Sequence, residues 1–213
     1  MSVLVEGQSQ TRSSPDPNRP VAVFVLDIAG DGFQFTSPLD GVMFDIDGTG
    51  ERSRIGWTRA DAEDGFLFLD TNGNNVVDSG RELVGNGWRR PDGSRVASGD
   101  DALLVIQGMA KRVPGPVPRD LQHFGVVDST DEVFGRLRFW RDSDHNGRSE
   151  ISELKPLATL QILRVELGFE MLSGTSDAHG NTSVIEGSFY VSHMGEEARR
   201  RLVEVRFARA RRP

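Results

Sequence analysis

Short apolar runs that break off at Asp, Asn and Gly set the texture of this chain from Val21 onward. VAVFVLD (21–27), VMFDIDG (42–48) and FLFLDTNG (66–73) each read as a strand delivered into a turn, because β-branched and aromatic residues give way at once to turn formers. Gly99 to Ala110 (GDDALLVIQGMA) has apolar positions 103, 104, 106 and 109 behind an acidic first turn, which predicts a short amphipathic helix despite Gly108. The Pro-rich stretch 111–120 (KRVPGPVPRD) predicts an irregular surface connection. LRFWRD (137–142) predicts another strand, and ISELKPLATL (151–160) a helix that Pro156 limits or kinks. Strand patterning then returns in LQILRVELGFEM (160–171), TSVIEGSFYV (182–191) and RLVEVRFARA (201–210), with Gly180-Asn181 placed as a turn before the second. The expected fold class is α+β: short β-strands with EF-hand-like calcium loops and a few short helices.

Residues 1–20 are rich in Ser, Pro, Gln and charge and too poor in apolar groups to offset the entropy of ordering, so they read as a flexible arm. Residues 21–209 read as one domain and 210–213 as a basic tail. At 213 residues the chain can bury a sizeable core without staples. The absence of Cys removes thiol nucleophiles, iron-sulfur clusters, thiolate zinc sites and disulfides. No apolar run approaches the ~20 residues of a membrane span, and no classical signal peptide is visible at the N-terminus. A formal net charge of -7 argues against nucleic acid and anionic membranes as partners. The acids gather in Asp/Asn/Gly loops, where hard cations are the natural partners.

The sharpest motif runs from Asp142 to Glu153 and fits the twelve-residue calcium loop D-x-[DN]-x-[DN]-G-x5-E position by position. Such a loop wraps one ion with oxygens from positions 1, 3 and 5, turns at a glycine and adds the carbonyl of position 7. Here these are Asp142, Asp144, Asn146, Gly147 and Arg148; Glu150 takes the water-bridged ninth place and Glu153 closes the site. Oxygen donors alone favour Ca2+ over zinc or copper. A second, less regular loop offers Asp70, Asn72, Asn74, the Val76 carbonyl, Asp78 and, one residue late, Glu82. Asn75 stands where the turn wants Gly, and Asn tolerates positive φ best after Gly. About two ions are expected. Asp27, Asp31, Asp45 and Asp47 form two weaker Asp-Gly segments that could share a third.

With these residues in hand, the series VLDIAGDGF, VMFDIDGTGERSRIGWTRADAEDGFLFLD, TNGNNVVDSGRELVGN and LRFWRDSDHNGRSEISELKPL resembles a bacterial family of EF-hand-like calcium-binding proteins. It is similar to the calcium-dependent self-processing module of RTX-type exported proteins, over roughly Val21 to Ala208. The resemblance implies calcium ligation at Asp70, Asn72, Asn74, Asp78 and Glu82 and at Asp142, Asp144, Asn146 and Glu153, with folding around the ions. The chain departs from that family at FGVVDSTDEVFG (124–135), which lacks a ligand array where the family has one, and at Ala29, which replaces an Asp. The only Asp-Pro pair, Asp16-Pro17, stands farther from the first acidic loop than the family's cleaved bond.

Together these features predict a monomeric module whose loops couple Ca2+ binding to folding, serving extracellular or cell-surface recognition or assembly through an unknown protein or surface partner. Calcium-triggered self-processing at Asp16-Pro17 is the alternative. Catalysis on an external substrate is not expected, since His123, His179 and His193 are scattered and no nucleophile or phosphate-loop motif is present. Trp57, Trp88 and Trp140 read as core residues.

Overall fold

The computed structural model describes residues 20–90, 93–96, 99–110, 125–166 and 169–210, without the side chains of 100 and 107–110. The expectations for the arm at 1–19, Asp16-Pro17, the 111–120 connection, His123 and residues 211–213 fall outside the described residues.

Eleven strands are seen among the described residues: β1 (Val23–Asp27), β2 (Val42–Phe44), β3 (Ser53–Ile55), β4 (Asp64–Leu69), β5 (Val126–Asp128), β6 (Leu137–Trp140), β7 (Leu154–Pro156), β8 (Ile162–Glu166), β9 (Glu170–Ser176), β10 (Thr182–His193) and β11 (Glu196–Arg206). Nine form one antiparallel sheet in the order β5-β8-β10-β11-β1-β4-β6-β7, with β9 added along β10; β2 and β3 pair separately. The sheet curls into a half-barrel.

The unbroken apolar runs of β1 and β4 have a structural cause: both faces of the sheet's centre are covered. Along β1, Phe24 and Leu26 enter one core while Val23 and Val25 enter the other; along β4, Leu67 and Leu69 face the first core and Phe66 and Phe68 the second. The first core also takes Ala102, Leu103 and Ile106 of the helix α1 (Gly99–Ala110). Leu104, predicted to share that buried face, is exposed. The second core is aromatic. Trp57, Phe66, Trp140, Phe44 and Phe207 pack around one another at tilted angles, with Trp57 and Phe66 ring centroids 4.3 Å apart.

The α+β expectation is overturned: the fold is mainly β, with α1 the one α-helix among the described residues. The segment 151–160 explains most of the error. Instead of a kinked helix it forms a single 3-10 turn (Ile151–Glu153), strand β7 and another 3-10 turn (Leu157–Leu160). Pro156 prevents helix continuation, and Leu154 to Pro156 pair with Arg138 to Trp140 of β6 instead. The EF-hand-like frame falls with it, because the 142–153 loop joins two paired strands rather than two helices.

Candidate metal centre

The loop after β6 is built around Asp142, which is almost fully buried. Its Oδ1 accepts the Asn146 N–H at 3.0 Å, and its Oδ2 accepts the Gly147 N–H at 2.9 Å. Gly147 has φ 70°, so the sharp turn falls where the spacing predicted it. Glu153, at the other end, accepts the Ser143 N–H at 2.6 Å and the Ser143 hydroxyl at 2.9 Å. Asp142, Asp144 and Glu153 each bring a carboxylate oxygen within 4.8 Å of the others, and they are the one such acidic group among the described residues.

Two indole rings of the aromatic core reach this loop. Trp57 donates its Nε1–H to Asp142 Oδ2 at 2.8 Å, and Trp140 donates to Glu153 Oε2 at 3.2 Å. The rings themselves pack edge-on, with centroids 5.6 Å apart. The first and last acids of the loop are therefore fixed by the core, whereas Asp144, Asn146, Arg148 and Glu150 stay exposed. Asn146 directs Nδ2 to Asp144 Oδ2 at 2.7 Å and to Glu150 Oε1 at 3.0 Å, so an amide dipole bridges carboxylates that would otherwise repel. A half-turn of that amide exchanges its nitrogen for an oxygen donor. The donor set of three carboxylates, an amide and a carbonyl is all oxygen and suits a hard divalent cation.

The 70–82 loop repeats the design with more amides. Asp70 accepts the Gly73 N–H at 2.7 Å and the Asn75 N–H at 3.0 Å, and Asn75 adopts φ 59° as its place in the loop requires. Asn72 and Asn74 both donate to Asp78 Oδ2, at 2.9 and 2.7 Å. The late acid, Glu82, turns back to accept the Thr71 N–H at 3.3 Å and the Asp78 N–H at 2.9 Å. It takes the role that Glu153 takes in the other loop. Val76 is half-buried and Val77 buried; the Val77 N–H donates to Ser149 Oγ at 2.6 Å, placing the two loops side by side.

The weaker segments divide between two places. Asp45 accepts the Thr49 N–H at 2.9 Å and the Gly50 N–H at 2.7 Å. Its carbonyl meets the Gly80 N–H at 2.9 Å, and a side chain at Gly80 would run into the Ile46 carbonyl. Asp45 thus packs beside the 70–82 loop. Asp47 is drawn off into an ion pair with Arg209 at 2.7 Å. Asp27 instead lies opposite Asp64 in the β1–β4 register. Its carboxylate accepts the Gly30 and Gly32 N–H groups at 2.6 and 3.0 Å, while Asp64 accepts the Gln34 N–H at 2.7 Å. Asp64 closes this turn in space, and sequence spacing could not find it because it arrives from a different strand. At the segment read as lacking a ligand array, Asp128 Oδ1 accepts from the N–H and hydroxyl of Thr130, at 2.8 and 2.6 Å, in an ordinary turn.

Burial dominates the electrostatics. It pushes the Asp142 carboxyl up to about 6 against the pull of its N–H donors, and raises Glu82 in the same direction. Glu153 is also penalised by burial, yet the Ser143 and Trp140 donors hold it below the ordinary glutamate value. Asp64 is pushed up to about 7, first by burial and then by the facing Asp27 and Asp31. A carboxyl raised in the folded state loses stability as pH climbs from its unfolded value through its folded one. In EDTA at pH 8, Asp64→Asn should therefore melt several degrees above the native protein, and the difference should shrink as pH falls and vanish only near about pH 4, where the unfolded carboxyl also becomes protonated. Equal melting at pH 8 would show that Asp64 carries no such strain.

His179 sits in the 177–181 turn, where its backbone N–H donates to Asp177 Oδ1 at 2.8 Å, and His193 ends β10. Among the described residues, no helix is long and apolar enough to cross a membrane.

The chain is 31% identical over 166 residues to the iron-regulated protein FrpA of Neisseria meningitidis serogroup C. That stretch covers 77% of this chain but 14% of FrpA, so the likeness concerns one segment of a much longer protein. The SPM domain matches residues 24–208. Since that range runs from β1 to just past β11 and contains both acidic loops, the chain belongs to the SPM domain family.

Proposed function

We propose that this domain is a calcium-binding module whose two acidic loops link ion binding to folding, and that it serves recognition or assembly outside the cell. The observation that carries the reading is the convergence of Asp142, Asp144 and Glu153 within 4.8 Å at one end of the aromatic core. Asp142, Asp144 and Asn146 would bind through side chains, Arg148 through its carbonyl, Glu150 through water and Glu153 through its carboxylate. Asp70, Asn72, Asn74, Val76, Asp78 and Glu82 would hold a second ion, and Asp27, Asp31 and Asp64 are the best-placed acids for a third. A bound cation supplies charge neutralisation and ties together loop segments that otherwise rely on amide bridges.

Loops of this composition fill at roughly 0.1–1 mM Ca2+ in extracellular modules, which motivates the external setting. An ion present at 100 times its Kd adds about 2.7 kcal/mol to the folded state. A thermal melt in EDTA and again in millimolar CaCl2, with MgCl2 as control, tests the proposal. A calcium-specific rise of at least roughly 5 °C is expected for a domain of this size. No rise, or an equal rise with Mg2+, would reduce the loops to hydrogen-bonded turns. Asp128→Ala, in the segment without a ligand array, should leave the calcium response unchanged.

A further inference from the structure

A cleft of about 670 Å³ opens beside the 70–82 loop, with Leu69, Thr71, Trp88 and the arginines Arg81, Arg89 and Arg136 on its walls. These arginines come from two stretches, 81–89 and the turn before β6, of a chain whose net charge is -7. All three are exposed, and among the described residues none pairs with a carboxylate. Arg89 spends one N–H on the Gly93 carbonyl at 3.4 Å. The neighbouring Arg90, also in the wall, is already engaged: it pairs with Asp101 at 2.6 Å and donates to the Arg95 carbonyl at 2.8 Å. Trp88 also lines the cleft. Its ring is buried, and its Nε1–H has no acceptor.

Three unneutralised guanidinium groups around one concavity repel one another, and an anion placed among them relieves that repulsion. A guanidinium fork matches the paired oxygens of a phosphate or carboxylate. Three guanidinium groups on the walls of one cleft favour a compact dianion over a monoanion. The arrangement is a bounded cleft rather than a stripe along the surface, so it fits one anionic group, and its volume leaves room for the organic part that carries it.

We propose that this cleft binds a phosphate monoester, with Arg81, Arg89 and Arg136 as its anion clamp. Isothermal titration of the native protein with glycerol 2-phosphate tests it, using glycerol and malonate as neutral and dicarboxylate controls. CaCl2 is kept present throughout, so the outcome does not depend on whether calcium supports the fold. Saturable binding is expected for the ester and not for glycerol. Arg136→Gln should weaken it roughly tenfold, and Arg89→Gln/Arg136→Gln should weaken it further. Because these side chains are exposed, the variants should melt with the native protein. Arg164→Gln, which removes a remote arginine paired with Glu197, should bind as the native protein does. Failure of the ester to saturate, malonate binding as tightly, or equal weakening by Arg164→Gln would each overturn the assignment. Cosedimentation with phosphatidic acid vesicles separates the sources: retention assigns the phosphate to a lipid headgroup, and its absence alongside ester binding assigns a soluble ligand.

Discussion

Asp142→Ala should abolish most of the calcium-dependent rise in melting temperature and should also lower the melt in EDTA. The two losses have different origins. The first is the ion: a site filled at 100 times its Kd contributes about 2.7 kcal/mol, or roughly 5–10 °C in a domain of this size. The second is the core, since the Trp57 Nε1–H would lose its buried acceptor, at a cost of about 1–3 kcal/mol. Asp142→Asn separates them. An amide oxygen can still accept from Trp57 and the Gly147 N–H, leaving only the Asn146 N–H without its acceptor, so this variant should lose the calcium shift while losing less than Asp142→Ala in EDTA. A full calcium shift in both variants would mean that the 142–153 loop is not an ion site.

Phe66→Ala should produce the largest loss that is independent of calcium. Phe66 is wholly buried at the centre of the aromatic core, with Trp57 at 4.3 Å and Trp140 at 5.4 Å between ring centroids. Truncating such a ring removes apolar burial and leaves a void that the neighbouring indoles can only partly fill, at about 3–5 kcal/mol. Urea denaturation followed by tryptophan fluorescence measures it, and the loss should be similar in EDTA and in CaCl2. A loss below roughly 1 kcal/mol would show that the aromatic cluster repacks freely, against the close packing expected of protein interiors.

The strands and their turns were legible because each carries its own local signal. The β-branched and aromatic runs of β1, β4, β6 and β11 end at Asp, Asn or Gly, and the Gly180-Asn181 pair lies in the turn between β9 and β10. The helix α1 was equally local, with its Leu103 and Ile106 buried as the spacing implied. What failed was the balance of classes. The segment 151–160 has helix-forming residues on both sides of Pro156, but pairing of Leu154 to Pro156 along β6 decides its state, and that partner lies outside any local window. The acidic loops were readable as residue spacing. Their attachment to the core was not, since the indole donors at Trp57 and Trp140 are brought in by ring packing. Asp64 and the arginine cleft were hidden for the same reason: each is assembled by residues far apart in the chain.

The pairing of β1 with β11 sets Val23 to Leu26 against Leu202 to Val205, so the sheet's middle joins nearly the first and nearly the last described residues. Neither strand can find its partner until both have been made and released. Pairing across so long a separation has to wait for a large loop to close, which slows folding relative to helical proteins of similar size. A chain halted partway through synthesis therefore has no finished half to fall back on. Until β11 arrives, β1 lacks the strand that pairs along that edge. Synthesis of β11, rather than growth of a nucleus around β1 alone, sets the earliest moment at which the middle of this sheet can close.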